Sequence, residues 1–138
     1  MSFPRIFLVA LSMFCIIGCS SVKTYDGPGK PRGEIALLKK SPDSPAVINN
    51  IDGKFRGIGN LDSHEFLPGP HVLKIHFVSA AAGTMYYSTD PVILSFNAAP
   101  GATYLLEARA DSAMKKWGAS IKEEASGNVV SRVVPAAQ

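Results

Sequence analysis

The sequence predicts an all-β protein, a small antiparallel β-sandwich of about seven or eight strands that follows an N-terminal signal peptide. Two observations support this fold class. From residue 34 onward, short runs alternate apolar and polar side chains, which is typical of half-buried strands. Turn residues separate these runs about every 8 to 12 positions, and no long helical pattern appears after the signal peptide.

The first hairpin is predicted from an Asp-Gly dipeptide. Strands are expected at 34–39 and 46–51, and Asp52-Gly53 follows the second directly. Aspartate and glycine tolerate the positive φ that both central turn positions need, so 54–57 should return as the partner strand.

The second hairpin is the clearest local signal. A strand at 64–67 leads into Pro68-Gly69, where proline presets φ at the second turn position and glycine supplies positive φ at the third. The strand that leaves this turn, 72–78, places Leu73, Ile75 and Phe77 on one face and Val72, Lys74 and His76 on the other. We therefore expect one of its faces to be buried.

Four further strands complete the predicted sandwich. Strands at 92–97 and 103–109 flank a Pro-Gly turn, and a last pair at 117–122 and 128–134 flanks a Ser-Gly turn. No second domain and no internal repeat is predicted.

The N-terminus is predicted to be a secretory signal peptide. Residues 1–5 carry one basic side chain, and 6–17 (IFLVALSMFCII) carry no charge. This apolar run is about 12 residues long, whereas a helix needs roughly 20 to cross a bilayer.

The run ends in Ile16-Ile17-Gly18-Cys19, which looks like a bacterial lipobox. Small Gly18 admits the backbone to the lipoprotein signal peptidase, which cuts before Cys19, and the Cys19 thiol accepts a diacylglyceryl group. Cys15 then leaves with the signal peptide. A disulfide between the two cysteines would close a very tight loop, and two cysteines alone make an incomplete metal site.

The predicted lipid determines the expected location. A cysteine with a diacylglyceryl group and an N-acyl chain carries three acyl chains, and two suffice for stable anchoring. Ser20 follows the cysteine, where an aspartate would favour retention in the inner membrane. We expect anchoring in the bacterial cell envelope, on the periplasmic face of the outer membrane.

These features divide the chain into four parts. Residues 1–18 are the signal peptide, 19–33 a lipidated Gly/Pro-rich tether reaching ~40 Å when extended, 34–134 the β-sandwich, and 135–138 a C-terminal tail.

The order of motifs resembles a group of small uncharacterised bacterial lipoproteins with a PEGA-like β-sandwich. The motifs are YDGP at 25–28, IDG at 51–53, LPGPHVLKIHF at 67–77, PGATYLLEA at 100–108 and WGASI at 117–121. The resemblance implies a sandwich built on two hairpins and covers nearly all of the mature chain. It implies no catalytic or ligand-binding residues.

Composition and motifs indicate no enzyme, no cofactor and no nucleic-acid partner. The chain has 14 Lys and Arg against 11 Asp and Glu, and loss of Arg5 with the signal peptide reduces that small surplus. His71 and His76 should face opposite sides of one strand, so no metal site is predicted. No nucleophile elbow or phosphate loop appears.

One segment is a candidate contact site. Residues 79–90 (SAAAGTMYYSTD) hold Met85, Tyr86 and Tyr87, residue types that are enriched in protein interfaces. Two interpretations stay open: a loop that presents these side chains to a partner, or a further strand with one tyrosine in the core. We favour the second.

The resulting functional hypothesis is a non-enzymatic envelope lipoprotein that acts through contacts with an envelope protein or the cell wall. The alternative is a module that binds a small ligand, a carbohydrate or peptidoglycan fragment.

Overall fold

The computed structural model describes residues 21–41, 44–55, 63–81, 83–111 and 116–135. Gly18 and Cys19, and with them the predicted signal peptide and lipidation site, lie outside the described residues. The described residues end at Pro135, the first residue of the predicted C-terminal tail.

The described chain is built of β-strands. It holds eleven strands and a single 3₁₀ turn at Arg32–Glu34, with no α-helix among the described residues. The strands are β1 Val22–Lys23, β2 Ala36–Lys40, β3 Ala46–Ile51, β4 Lys54–Phe55, β5 Ser63–Phe66, β6 Gly69–Ala81, β7 Thr84–Tyr87, β8 Val92–Ala98, β9 Thr103–Asp111, β10 Lys116–Glu123 and β11 Arg132–Val133.

The strands form two sheets. One has the order β1-β5-β2-β9-β10, and the other has the order β11-β8-β6-β3-β4 with β7 added beside β6. Most neighbours are antiparallel, but β1 runs parallel to β5 and β2 runs parallel to β9. The predicted all-β sandwich is confirmed; the strand number exceeds seven or eight chiefly because of two-residue strands at the sheet edges.

The core lies between the two sheets and takes side chains from both. From the first sheet come Ala36, Leu38, Phe66, Tyr104, Leu106 and Ile121, and from the second Ala46, Ile48, Ile51, Leu73, Ile75, Leu94, Phe96 and Ala98. The alternation predicted in β6 therefore corresponds to a buried face.

Strand β3 departs from simple alternation. Ile48 and Ile51 both face the core although they are three residues apart, which a regular strand does not allow. A register shift between Ile48 and Asn50 inserts one extra residue against β6. This β-bulge returns Ile51 to the buried face, opposite Leu73.

The first predicted hairpin is confirmed, since β3 pairs with β4, and Asp52 and Gly53 have φ of +49° and +81°. The second predicted hairpin is wrong. Gly69 has the expected positive φ, +119°, but β5 pairs with β1 and β2 in one sheet while β6 belongs to the other, so Pro68-Gly69 connects the two sheets. The segment before the first strand is held against the sandwich: the Thr24 N–H donates to the Glu65 carbonyl at 3.1 Å. Within the predicted tether, residues 22–23 thus add a short strand to the sheet edge.

Candidate functional site

The candidate site is built on a hairpin that extends past the end of the second sheet. The first part of β6 lies between β3 and β8, whereas its last residues pair with β7, from Val78 opposite Tyr87 to Ala81 opposite Thr84. Gly83, with φ of +77°, lies in the turn. We call residues 78–81 and 83–87 the hairpin arm.

The three predicted contact residues lie on β7, and all are exposed. Met85 is 73% exposed, Tyr86 58% and Tyr87 45%. The segment is thus a strand, as the favoured interpretation expected, but neither tyrosine packs in the core. Within the described residues β7 pairs with β6 alone, so no neighbouring strand covers these side chains.

Tyr87 defines the outer face of the arm. It lies directly opposite Val78 and its ring stacks on His76, with 4.7 Å between ring centroids and 24° between ring planes. Because side chains alternate along a strand, Met85 shares this face and Tyr86 lies on the other. The arm therefore exposes aromatic surface on both faces.

A shallow apolar groove lies at the base of the arm. Its walls come from the start of β3 (Pro45, Val47) and from the arm (Val78, Met85, Tyr87), and its volume is about 240 Å³. Val47 lies on the floor and is only 8% exposed. Cavities that hold drug-sized ligands have volumes of roughly 300–1,000 Å³, so this groove suits a single side chain better than a separate ligand.

Hydrogen bonds at Ser88 hold the arm at its base. The Ser88 N–H donates to the Phe77 carbonyl at 2.9 Å, and the Phe77 N–H donates to Ser88 Oγ at 3.0 Å. His76 Nδ1 lies 3.1 Å from the Ser88 carbonyl. The Phe77 ring also packs near Trp117, with centroids 5.7 Å apart. These contacts fix the direction in which the arm leaves the sheet.

Both ring nitrogens of His71, one of the histidines considered as metal ligands from the sequence, have hydrogen-bond partners within the fold. Its Nδ1 lies 2.6 Å from Asp52 Oδ2 and its Nε2 lies 2.6 Å from the Leu67 carbonyl. The ring packs edge-on against Phe66, with centroids 4.9 Å apart. His76 lies apart from it, against Tyr87. Across the described part of the chain, no three His, Cys, Asp or Glu side chains come close enough to hold a metal ion.

The structure adds residues that sequence reasoning missed. Pro45 and Val47 complete the groove, and His76 supports Tyr87, but they precede the first residue of β7 by 8 to 39 positions in the chain. No local pattern could have joined them to the aromatic segment.

Comparison with known protein families, curated proteins and solved structures finds no match for this chain. Among the residues that the structure describes, no helix has the length and apolar character needed to span a bilayer.

Proposed function

We propose that this chain is a non-enzymatic lipoprotein of the bacterial cell envelope. Acylated Cys19 anchors it in the periplasmic leaflet of the outer membrane, and its β-sandwich acts through contacts with an envelope protein or the cell wall. The exposed Met85, Tyr86 and Tyr87 on one projecting strand are the observation that carries the contact role.

The contact role is supported by the free-energy cost of leaving the large apolar side chains of Met85, Tyr86 and Tyr87 exposed to water. Scattered exposed apolar residues are ordinary on a protein surface, but β7 exposes three consecutive large ones, Met85 and Tyr87 on one face and Tyr86 on the other. The sandwich core is complete without them, since none belongs to it. Their retention is best explained by a partner that covers them.

The support for anchoring is the sequence around Cys19. A charge-free run of about 12 residues ends at Gly18-Cys19, and strand β1, which pairs with β5 of the sandwich, begins at Val22, so the lipid and the folded domain are close together along the chain. The resemblance to small PEGA-like lipoproteins agrees with this arrangement.

The anchor is tested by fatty-acid labelling of the full chain in bacteria. We expect Cys19→Ala to abolish both acyl labelling and removal of the signal peptide, because the thiol is the acceptor. Cys15→Ala is the matched control and should leave both intact. Equal labelling of the Cys19→Ala variant would show that the lipid is attached elsewhere or not needed for processing.

The contact role is tested by cross-linking in intact envelopes. A specific adduct of the full chain should weaken when Tyr86→Ala and Tyr87→Ala are combined, since these changes remove most of the aromatic surface. Val72→Ala and Val133→Ala, at exposed positions on other strands, form the control pair. If the double tyrosine variant gives the same adducts as the control, β7 is not the contact surface.

The small-ligand alternative has weaker support at the hairpin arm, because the groove there is smaller than typical ligand cavities. A rise in the unfolding temperature on addition of peptidoglycan fragments would favour it, since a ligand that binds only the folded state stabilises that state.

A further inference from the structure

We propose that the free edge of β7 pairs with the β7 of a second copy of this chain, in antiparallel orientation about a two-fold axis. This inference rests on the proposed function, in which β7 is the contact surface, and it names the partner. Three independent features of β7 support it: its backbone, its lack of charge and its side-chain order.

The backbone of β7 offers hydrogen-bonding groups at its free edge. The Ser88 N–H donates to the Phe77 carbonyl, and the Val78 N–H points the other way and donates to the Pro45 carbonyl at 2.8 Å. Antiparallel pairs alternate between bonded and non-bonded residues. The N–H and C=O groups of Met85 and Tyr87 therefore point away from β6, toward the free edge.

The free edge of β7 differs from the other sheet edges in charge. The terminal strands β1, β4, β10 and β11 each carry a lysine or arginine, namely Lys23, Lys54, Lys116 with Lys122, and Arg132. Charged side chains, lysine above all, are the usual protection of an edge against pairing with another chain. Residues 83–88 (GTMYYS) carry no charge and no proline, so two copies of β7 meet without repulsion.

The order of side chains on β7 is complementary to itself. When Tyr86 lies opposite Tyr86 of the second copy, Met85 lies opposite Tyr87 in both halves. Each Met85 and Tyr87 pair then exchanges two backbone hydrogen bonds, four in all, and places a thioether beside an aromatic ring, a favourable contact. The two Tyr86 rings meet on the other face as a cross-strand aromatic pair. Such an interface uses the same patch on both copies, as two-fold symmetry requires.

The contact is small, because four residues per copy lie far below the roughly 20–30 residues per side of a standard interface. A shared membrane anchor raises the effective concentration of one copy near another. The pairing should therefore be strongest when both copies are anchored, and we place its test in envelopes that contain the full acylated chain.

The test introduces single cysteines and measures disulfide-linked dimers after mild oxidation. In the proposed register the two-fold axis passes between Tyr86 of one copy and Tyr86 of the other. These two residues exchange no backbone hydrogen bonds, and the Cα atoms of such a pair lie about 4.5 Å apart, within the range of a disulfide. Tyr86→Cys should therefore give at least about fivefold more dimer than Val72→Cys, an exposed control on another part of β6.

The register is tested by co-expressing two differently tagged copies. Met85→Cys in one copy and Tyr87→Cys in the other should cross-link well, because these positions lie opposite each other. Two Met85→Cys copies should cross-link poorly, since in this register they are offset by two positions along the strand, a diagonal distance of roughly 7–8 Å that a disulfide does not span. Equal yields from both combinations would overturn the two-fold register.

The outcomes separate this inference from the proposed function. If Tyr86→Cys forms adducts only with a different protein, the second copy is the wrong partner while the contact role of β7 stands. If Tyr86→Cys gives no more dimer than Val72→Cys and no other adduct, both the pairing and the contact role are overturned. A further variant adds Thr84→Lys to the Tyr86→Cys chain, with Val72→Lys as the control addition. Loss of the dimer with Thr84→Lys alone would support the lack of charge on β7 as the basis of the pairing.

Discussion

At the residue scale, Asp52 joins the turn of the first hairpin to the start of β6. Its Oδ1 accepts the Val72 N–H at 2.8 Å, its Oδ2 lies 2.6 Å from His71 Nδ1, and its own N–H donates to the Val72 carbonyl at 2.8 Å. The positive φ of +49° aims the carboxylate at β6. One turn residue thus fixes the position of the first hairpin against the start of the longest strand.

We expect Asp52→Ala to lower the free energy of unfolding by about 2 kcal/mol, measured by urea denaturation. The change leaves His71 and the Val72 N–H without their acceptor, and hydrogen bonds to charged groups contribute roughly 1.5–3 kcal/mol. Asp52→Asn is the control: it keeps an acceptor oxygen and tolerates positive φ, so its loss should be smaller. An Asp52→Ala loss under about 0.5 kcal/mol would contradict this role.

At the element scale, β9 and β10 form the longest unbroken antiparallel pairing, with Lys116 opposite Asp111 and Glu123 opposite Tyr104. On its outer face Lys122 Nζ lies 2.9 Å from Glu107 Oε2. The hydrogen bond from Lys122, together with the charges of Lys122 and Arg109, lowers the pKa of Glu107. The ion pair contributes modestly to holding β10 at the sheet edge, since both side chains are partly exposed.

The pH dependence follows from the sign of this shift. A carboxylate whose pKa is lower in the folded state stabilises the fold above the unfolded-state pKa, and that contribution is lost as pH falls through the folded-state value. We expect Glu107→Gln to lower the unfolding temperature at pH 7 by no more than about 4 °C. The difference from the unmodified chain should vanish in acid, below the lowered pKa.

The control for this prediction is Glu123→Gln. Glu123 lies on the same strand as Lys122 and has no ion pair among the described residues. Its substitution removes a carboxylate without removing an ion pair, so at pH 7 it should lower the unfolding temperature less than Glu107→Gln does. A Glu107→Gln difference that persists in acid, below the lowered pKa of Glu107, would show that packing, and not charge, is responsible.

At the scale of the whole molecule, the sandwich depends on apolar contacts between sheets. Phe66, Phe96 and Tyr104 form an edge-on cluster, with Phe96 5.6 Å from Phe66 and 5.3 Å from Tyr104 between centroids. The Tyr104 hydroxyl accepts the Ala99 N–H at 2.8 Å, so the buried oxygen is satisfied. This cluster joins β5 and β9 of one sheet to β8 of the other.

Two neighbouring positions on β6 test the sandwich directly. Leu73 is fully buried between the sheets, whereas Val72 faces outward and is 44% exposed. We expect Leu73→Ala to cost about 2–5 kcal/mol of unfolding free energy, because it removes buried methyl groups and leaves a cavity. Val72→Ala should cost less than about 0.5 kcal/mol. If urea denaturation gave similar losses of unfolding free energy for Leu73→Ala and Val72→Ala, the face of β6 that carries Val72 would have to be buried as well.

Some parts of the fold could be predicted from the sequence and others could not, for physical reasons. The turns at Asp52-Gly53 and Pro68-Gly69 were predictable because backbone conformation there is a property of the residues themselves. Strand β1 was not, since Val22 and Lys23 pair through backbone groups with a distant strand and show no side-chain pattern. The exposure of β7 was not either, because TMYY has no alternation that distinguishes a buried face from an exposed one.

The amino-acid sequence by itself determined the all-β class, the Asp52-Gly53 hairpin, the positive φ at Gly69 and the buried face of β6, because alternation and turn chemistry act over a few neighbouring residues. It also carries the lipobox, a prediction that stands on the sequence alone. Only the tertiary structure decided which strands share a sheet, the parallel pairing of β2 with β9, and the direction of the hairpin arm. These features depend on contacts between segments far apart in the chain, and the free, uncharged edge of β7 is one of them.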